Sequence, residues 1–219
     1  SKGRTKRTEV LFGKPGRIYI YFTYGMHWLL NFVVGPEGYS AGVLIRDEED
    51  KKGVGRPTLF SYYLEGKLLR REEDTKGSGQ IDRWSHYDKD ERLIRREVAR
   101  KGSGRPDVWA YYENGQIVKQ EEDALGQGRP NVAYFFQVGI LSRREEDTQG
   151  AGRPDLIDWY ENGKPVKRQQ DTRRQGKMDV VTYFREGDIR RQEVDTKYEG
   201  RYDLVRFFEN GRLAREEYD

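Results

Sequence analysis

Beyond residue 50 the chain repeats itself about every 24 residues, and no other feature limits its fold as tightly. The anchors Asp50, Asp74, Ala99, Asp123, Asp147, Asp171, Asp195 and Asp219 bound seven units, spaced by 24 residues except for one spacing of 25. A period this short makes each repeat one supersecondary unit that must stack on its neighbours to bury anything. Every unit runs as a Gly-containing loop, an aromatic stretch, a turn, an aliphatic-to-basic stretch and then acidic residues. VWAYY at 108–112 and VAYFF at 132–136 are short, β-branched and aromatic, and they are bounded by turn residues, which predicts strands. Glu-Asn-Gly follows at 113–115, 161–163 and 209–211. Asn-Gly accepts the positive φ of a two-residue hairpin turn. A partner strand comes next, as in KLLRREE at 67–73 or QIVKQEE at 116–122. Pro57, Pro106, Pro130 and Pro154 recur in the linking loop, where proline costs no ladder hydrogen bond.

The expected fold is therefore all-β: an elongated antiparallel meander of about seven 24-residue β-hairpin repeats. Composition agrees. A hydrophobic fraction of 34% against 36% charged residues leaves little for a large globular core. The 13% aromatic content argues against disorder and for a thin sheet with few layers to fill. Aligned units place Tyr63, Tyr87, Tyr112, Phe136, Tyr160, Phe184 and Phe208 in one column. Basic residues (Arg70 through Arg215) and acidic residues (Glu72 through Glu217) form two more, read as charge ladders that keep a thin sheet soluble. This part of the chain resembles MORN-like bacterial β-hairpin repeat proteins, which implies a scaffold or binding surface rather than a chemistry.

The linking loops carry Asp-Thr-x-Gly-x-Gly-x-x-Asp, which looks like part of a calcium loop. Calcium needs oxygen ligands at the third and fifth positions. Those positions hold Lys76, Lys101, Gln149, Arg173 and Lys197, then Ser78, Ser103, Ala151, Gln175 and Glu199. The ligand set is lost, so the loops read as turns stabilised by Asp and Gly. Without cysteine and with only His27 and His86, neither a thiolate site nor a His-rich metal site is expected, and no cofactor is implied. No apolar run approaches the ~20 residues of a membrane span. No signal peptide is visible, so a cytoplasmic protein without membrane contact is the expectation. The chain begins at Ser1 rather than Met, which suggests that an upstream piece has been removed.

Residues 1–46 differ in kind. They hold seven of the basic residues against two acidic ones, so they carry +5 while the remainder sums to −2. A polyanion is the partner such an excess favours. Alternation in RIYIYFTYG, the apolar run HWLLNFVVG, a turn at Gly35-Pro36-Glu37-Gly38 and AGVLIR predict three strands. Leu-Phe-Gly-x-Pro-Gly at 11–16, Tyr-x-Tyr-Phe-Thr-Tyr-Gly-Met-His at 19–27, Asn31, Gly-Pro-Glu-Gly at 35–38 and Val-Leu-Ile-Arg at 43–46 follow one another in order. This block is closely similar to the central motifs of the alkyladenine (3-methyladenine) DNA glycosylase family.

The resemblance implies an enzyme that flips a damaged purine from the duplex and hydrolyses its glycosidic bond. Tyr21 would stack on the flipped base, Tyr24 would enter the minor groove as the wedge, and Asn31 would discriminate among purines. Arg46 would help to hold the attacking water. Aromatic stacking contributes ~1–3 kcal/mol per base, and an inserted side chain offsets part of the unstacking cost. The family's general base, a Glu in a Glu-x-Glu-Ala-Tyr motif upstream of this block, has no counterpart; Glu9 does not match it. After Arg46 the sequence turns to Asp-Glu-Glu-Asp and the first repeat instead of the family's Ala-Leu-Glu-Pro.

Two domains are expected: a glycosylase-like β segment at 1–46, able to cap the sheet, and a hairpin array at 47–219. One reading is a DNA-binding, repair-type protein with a truncated glycosylase-like segment, catalytically incomplete by itself and touching duplex DNA through its basic N-terminal fifth. A second is a non-enzymatic scaffold that binds a protein partner along the aromatic sheet. A third is a working glycosylase whose missing parts lie outside this chain.

Overall fold

The computed structural model describes residues 9–23, 27–33, 42–47, 57–64 and 66–219, with the backbone alone for residues 11, 19–23, 27–31 and 42–47. The described residues form an all-β structure with a single 3₁₀ turn at Glu9–Phe12. The chain divides into two compact units, Ser1–Pro106 and Asp107–Asp219.

In the first unit the strands are β1 (Ile18–Thr23), β2 (His27–Val33), β3 (Gly42–Asp47), β4 (Leu59–Leu64), β5 (Lys67–Glu73), β6 (Arg83–Tyr87) and β7 (Leu93–Val98). Each pairs antiparallel with the next. The pairing of β3 with β4 joins the N-terminal strands to the first hairpin of the array in one sheet. The second unit holds β8 (Val108–Glu113), β9 (Gln116–Glu122), β10 (Val132–Gln137), β11 (Ile140–Glu146), β12 (Leu156–Glu161), β13 (Lys164–Gln170), β14 (Val180–Arg185), β15 (Asp188–Val194), β16 (Leu204–Glu209) and β17 (Arg212–Tyr218). These too form an antiparallel meander. The strands expected from alternation and aromatic content are present. The turn expected at 35–38 lies outside the described residues.

Turn chemistry sets the hairpins. Asn114-Gly115, Asn162-Gly163 and Asn210-Gly211 hold φ of 50° and 78°, 49° and 76°, and 50° and 73°, the two consecutive positive values of a type I′ turn. The turn between β6 and β7 is longer. There the Asp88 carboxylate accepts the N–H groups of Asp90 and Arg92, at 2.8 and 2.9 Å. Each hairpin then carries a bulge on its second strand. Tyr62 pairs with Arg70 but Tyr63 with Leu68, leaving Leu69 unopposed, and Phe135 pairs with Arg143 but Phe136 with Leu141. The extra residue bends the strand and increases local twist.

Packing concentrates at the linking-loop end. Leu59, Val108, Val132, Val180 and Leu204, which open their strands, are buried, as are Ser61, Ser85, Ala110, Asp158 and Thr182 two residues on. The opposite face is amphipathic. The register Tyr111–Lys119–Phe135–Arg143–Trp159–Lys167 alternates rings and cations across successive strands. Lys119 lies 5.7 Å from the centroids of both Tyr111 and Phe135, and Arg143 lies 4.2 Å from that of Phe135. Most of these cations pair in turn with the acid two residues on, as in Lys119–Glu121 at 2.6 Å and Arg191–Glu193 at 2.6 Å; Lys167 has Gln169 there instead. Aliphatic stems and rings thus supply apolar area while charged ends stay in water.

Candidate nucleic-acid interface

The 3₁₀ turn and the turn after it lead the chain into β1. Gly13 N–H donates to the Val10 carbonyl at 3.1 Å, and Gly16, at φ +86°, donates to the Val33 carbonyl at 2.8 Å. Val33 N–H returns a bond to the Arg17 carbonyl at 2.9 Å, and Val33 is buried. The Lys14-Pro15-Gly16 corner is therefore clamped to the end of β2. Lys14 and Arg17 are exposed there.

Strand register then relates the residues singled out by motif. Tyr19 stands opposite Asn31, and Tyr21 opposite Leu29. Asn31 also stands opposite Leu44, which in turn faces Tyr63, while Arg46 faces Ser61. Opposed residues share a face and alternate residues along a strand return to it. Tyr21, Asn31 and Arg46 thus occupy register positions on a single face, drawn from three adjacent strands. Tyr24 lies outside the described residues, between the end of β1 and the start of β2. The motif search did not single out Ser61, whose side chain is fully buried and whose hydroxyl has no hydrogen-bond partner among the described residues. A serine inside a strand gives no sequence signal; only its place opposite Arg46 draws notice.

Electrostatics in the array follow two themes. On the amphipathic face, the Tyr62 hydroxyl donates to Glu72 at 2.8 Å, Tyr111 to Glu121 at 2.9 Å and Tyr183 to Glu193 at 3.2 Å. Burial first, and the hydrogen bond to Glu72 second, push the Tyr62 hydroxyl up to about 12. These phenols stay protonated donors that order the charge ladders. Burial pulls the His86 imidazole down despite the Glu97 carboxylate 3.1 Å away, and Arg70 and Arg95 add to the effect.

In the linking loops, carboxylates satisfy backbone amides. Asp147 accepts the Ala151 and Gly152 N–H groups at 2.8 and 2.6 Å, and Asp171 accepts those of Gln175 and Gly176 at 3.1 and 2.5 Å. Asp155 accepts the Thr148 N–H and hydroxyl at 2.9 and 2.6 Å; Asp179 and Asp203 serve Thr172 and Thr196 in the same manner. Burial pushes Asp147 and Asp171 up, but the amide donors outweigh it and hold both below the usual carboxylate range. The calcium-like skeleton of these loops is thus occupied internally, first Asp to amides at its fourth and fifth successors and last Asp to the threonine. Among the described residues no cluster of His, Asp or Glu is arranged to hold a metal ion. None of their helices is long and apolar enough to cross a membrane, which says nothing of a membrane-spanning β-barrel.

The order of motifs carried on these three strands is similar to that of DNA glycosylases. Residues 1–79 match the methylpurine-DNA glycosylase (MPG) family. A "Putative 3-methyladenine DNA glycosylase" of Burkholderia lata is 53% identical over 55 residues, which cover 25% of this chain and 27% of that protein. A protein of the same description from Carboxydothermus hydrogenoformans is 55% identical over 53 residues, covering 24% of this chain and 28% of its own length. The chain therefore spans about a quarter of the length of these relatives. Among solved structures, the accessory secretory protein 1, 2 and 3 assembly of Streptococcus pneumoniae overlaps 48% of this chain and 18% of its own at 15% identity and a TM-score of 0.29, too remote to bear on the fold.

Proposed function

We propose that this chain is a DNA-binding protein of the DNA-repair type, in which a truncated alkylpurine-glycosylase-like segment, residues 1–46, is mounted on a hairpin array, residues 47–219. The observation that carries the reading is the common face shared by Tyr21, Asn31 and Arg46, within a stretch that matches the glycosylase family. Tyr21 stacks on an extruded purine, Asn31 screens its edge, and Arg46 holds water beside the glycosidic bond. The resemblance assigns the wedge to Tyr24, which follows β1 in the sequence. No Glu-x-Glu-Ala-Tyr motif occurs within these 219 residues, so the general base of hydrolysis is missing from them. Loss of such a base costs ~10²–10⁴-fold or more in rate. The function assigned is recognition of duplex DNA, with hydrolysis negligible for this chain alone.

The pairing of β3 with β4 supports the array's part in this scheme. An open β-sheet edge is a liability, and the N-terminal strands cover that of the first hairpin while the hairpin braces β3. A second reading, a scaffold that binds a protein, draws on the half-exposed Leu69, Ile94, Ile140 and Leu213. Binding of the full chain to a short duplex, followed by fluorescence anisotropy at several salt concentrations, tests the first reading. The affinity is expected to fall with salt and to drop about tenfold with Tyr24→Ala, matching the ~1–3 kcal/mol of one aromatic contact. Affinity unchanged by Tyr24→Ala removes the wedge and favours the scaffold.

A further inference from the structure

The linking loops of the second unit distribute charge in a way the glycosylase-like segment does not explain. These loops join β13 to β14 and β15 to β16 along the edge opposite the hairpin turns. The acidic residues bounding them, Asp171, Asp179, Asp195 and Asp203, are buried with their carboxylate oxygens turned onto backbone amides and threonine hydroxyls. Arg153, Arg173, Arg174, Lys177 and Arg201 are exposed. Between the bounding acids, residues 172–178 contribute three cations and no carboxylate.

The exposed cations are also held in place. Arg153 donates through Nη2 to the Arg174 carbonyl at 3.0 Å, Arg173 through Nη2 to the Thr196 carbonyl at 2.5 Å, and Lys177 through Nζ to the Tyr198 carbonyl at 3.5 Å. Tyr198 stands between two of them, its centroid 5.3 Å from the Arg173 guanidinium carbon and 5.5 Å from Lys177 Nζ. Its hydroxyl donates to the Lys177 carbonyl at 3.3 Å. Each bond uses one of the five donors of a guanidinium or one of the three of the Lys177 ammonium, so the cations are oriented without being consumed. Alternate loops recur every two strands, which sets cations roughly 9–10 Å apart along the edge.

We propose that this loop edge, centred on Arg173, Arg174 and Lys177, binds the phosphate backbone of duplex DNA. The choice of duplex rests on the function proposed above; the preference for phosphate rests on the loops themselves. Counting charges alone would leave them near neutral, because the buried aspartates remain ionised. Distance decides otherwise. A phosphate at the surface meets guanidinium and ammonium donors at hydrogen-bond range, where charge-assisted bonds are strongest. The four bounding carboxylates lie beneath and already take amide and threonine donors, with Asp179 Oδ2 4.0 Å from Arg173 Nε and Asp203 Oδ2 3.8 Å from Lys197 Nζ; Glu199 is the exposed carboxylate of the second loop, and the 172–178 stretch has none. The opposite edge presents Glu113, Glu161, Glu186, Asp188 and Glu209 beside Lys164, Arg185 and Arg212 at its turns, all exposed; five acids against three cations leave it at −2, which disfavours the same ligand.

The test compares two charge-matched triple variants of the full chain, R173Q/R174Q/K177Q on the loop edge and K164Q/R185Q/R212Q on the turn edge, by titrating a short duplex across salt concentrations. The loop-edge variant is expected to flatten the slope of log affinity against log salt by up to about 0.9 for each phosphate no longer neutralised. The turn-edge variant keeps the slope of the unsubstituted chain. Because Arg173 and Lys177 brace a neighbouring loop, R174Q alone is measured beside it with circular dichroism, and a slope reduced by up to about 0.9 with unchanged ellipticity is the supporting result. Equal flattening by both triples, or none by R174Q and the loop triple, overturns the proposal. The two readings separate cleanly. Loss on Tyr24→Ala with no loop effect sinks the loop edge alone, and a loop effect without loss on Tyr24→Ala sinks the wedge alone.

Discussion

Val138 occupies the first position of a hairpin turn at φ +52°, where three other hairpins place asparagine and one places Glu186. A β-branched side chain in the left-handed region carries a steric cost of about 1–2 kcal/mol. Val138 is 80% exposed, so the site recovers little by burying it. Val138→Asn is therefore expected to stabilise the chain by about 1 kcal/mol, read as a rise of about 2–4 °C in melting temperature. Asp158 is the opposite case. It is 1% exposed and clamped by Arg168 Nε at 2.6 Å and Arg144 Nη1 at 3.4 Å, whereas the corresponding positions are Ser61, Ser85, Ala110, Tyr134, Thr182 and Arg206. Asp158→Ala takes the carboxylate from Arg168 while Arg144 keeps Glu146, and should cost up to about 3 kcal/mol, the low end for a broken buried pair because both arginines keep contact with water. Chemical denaturation of the variant measures it, and a loss under about 0.5 kcal/mol would show the clamp to be idle. Neither feature was legible in the sequence. Valine in a turn and aspartate in a strand look like drift in a repeat, and only the φ angle and the two arginines give them meaning.

At the scale of elements, the hairpins were legible because three signals agreed: aromatic strands, Asn-Gly turns and prolines confined to loops. The bulges were not. Their extra residues, Leu69, Ile94, Val118, Ser142, Val166, Arg190 and Ala214, share no chemistry, so nothing but the pairing register reveals them. The linking loops were half legible. Asp and Gly announced a turn, but the division of labour between the first and last acid emerges only from their acceptors. That division makes the loops acid-sensitive. Asp147 and Asp171 titrate below their ordinary range in the folded chain, whereas unfolded Asp titrates near 3.9. Their contribution is thus fully present above the unfolded value and is lost as pH falls through the depressed folded value. Stability by urea denaturation should hold constant on this account from neutrality to about pH 5 and decline below about pH 4. Asp171→Asn, which keeps one acceptor oxygen as Asn131 does towards Ala124 and Leu125, should flatten that acid limb while lowering stability at neutral pH. An unchanged acid limb would assign the sensitivity to other groups.

For the whole molecule, the segment proposed to recognise DNA shares a sheet with the first hairpin of the array through the pairing of β3 with β4. The motif order of residues 11–46 was readable in full, because glycosylase-type recognition is written in contiguous strands. The common face of Tyr21, Asn31 and Arg46 was not, since face depends on register across three strands, and register depends on turns that the motifs do not specify. The array's proposed part in binding left little trace in the sequence, because the 171–179 loop sets three exposed cations against two buried carboxylates. The central claim is that the N-terminal segment engages duplex DNA by displacing a base. Its most direct test is the emission of a 2-aminopurine placed beside hypoxanthine in a short duplex, titrated with the full chain at low salt. Saturable fluorescence enhancement that Tyr24→Ala abolishes, with hypoxanthine retained in the DNA throughout, is the predicted result. Binding without enhancement, or enhancement that survives Tyr24→Ala, would contradict it.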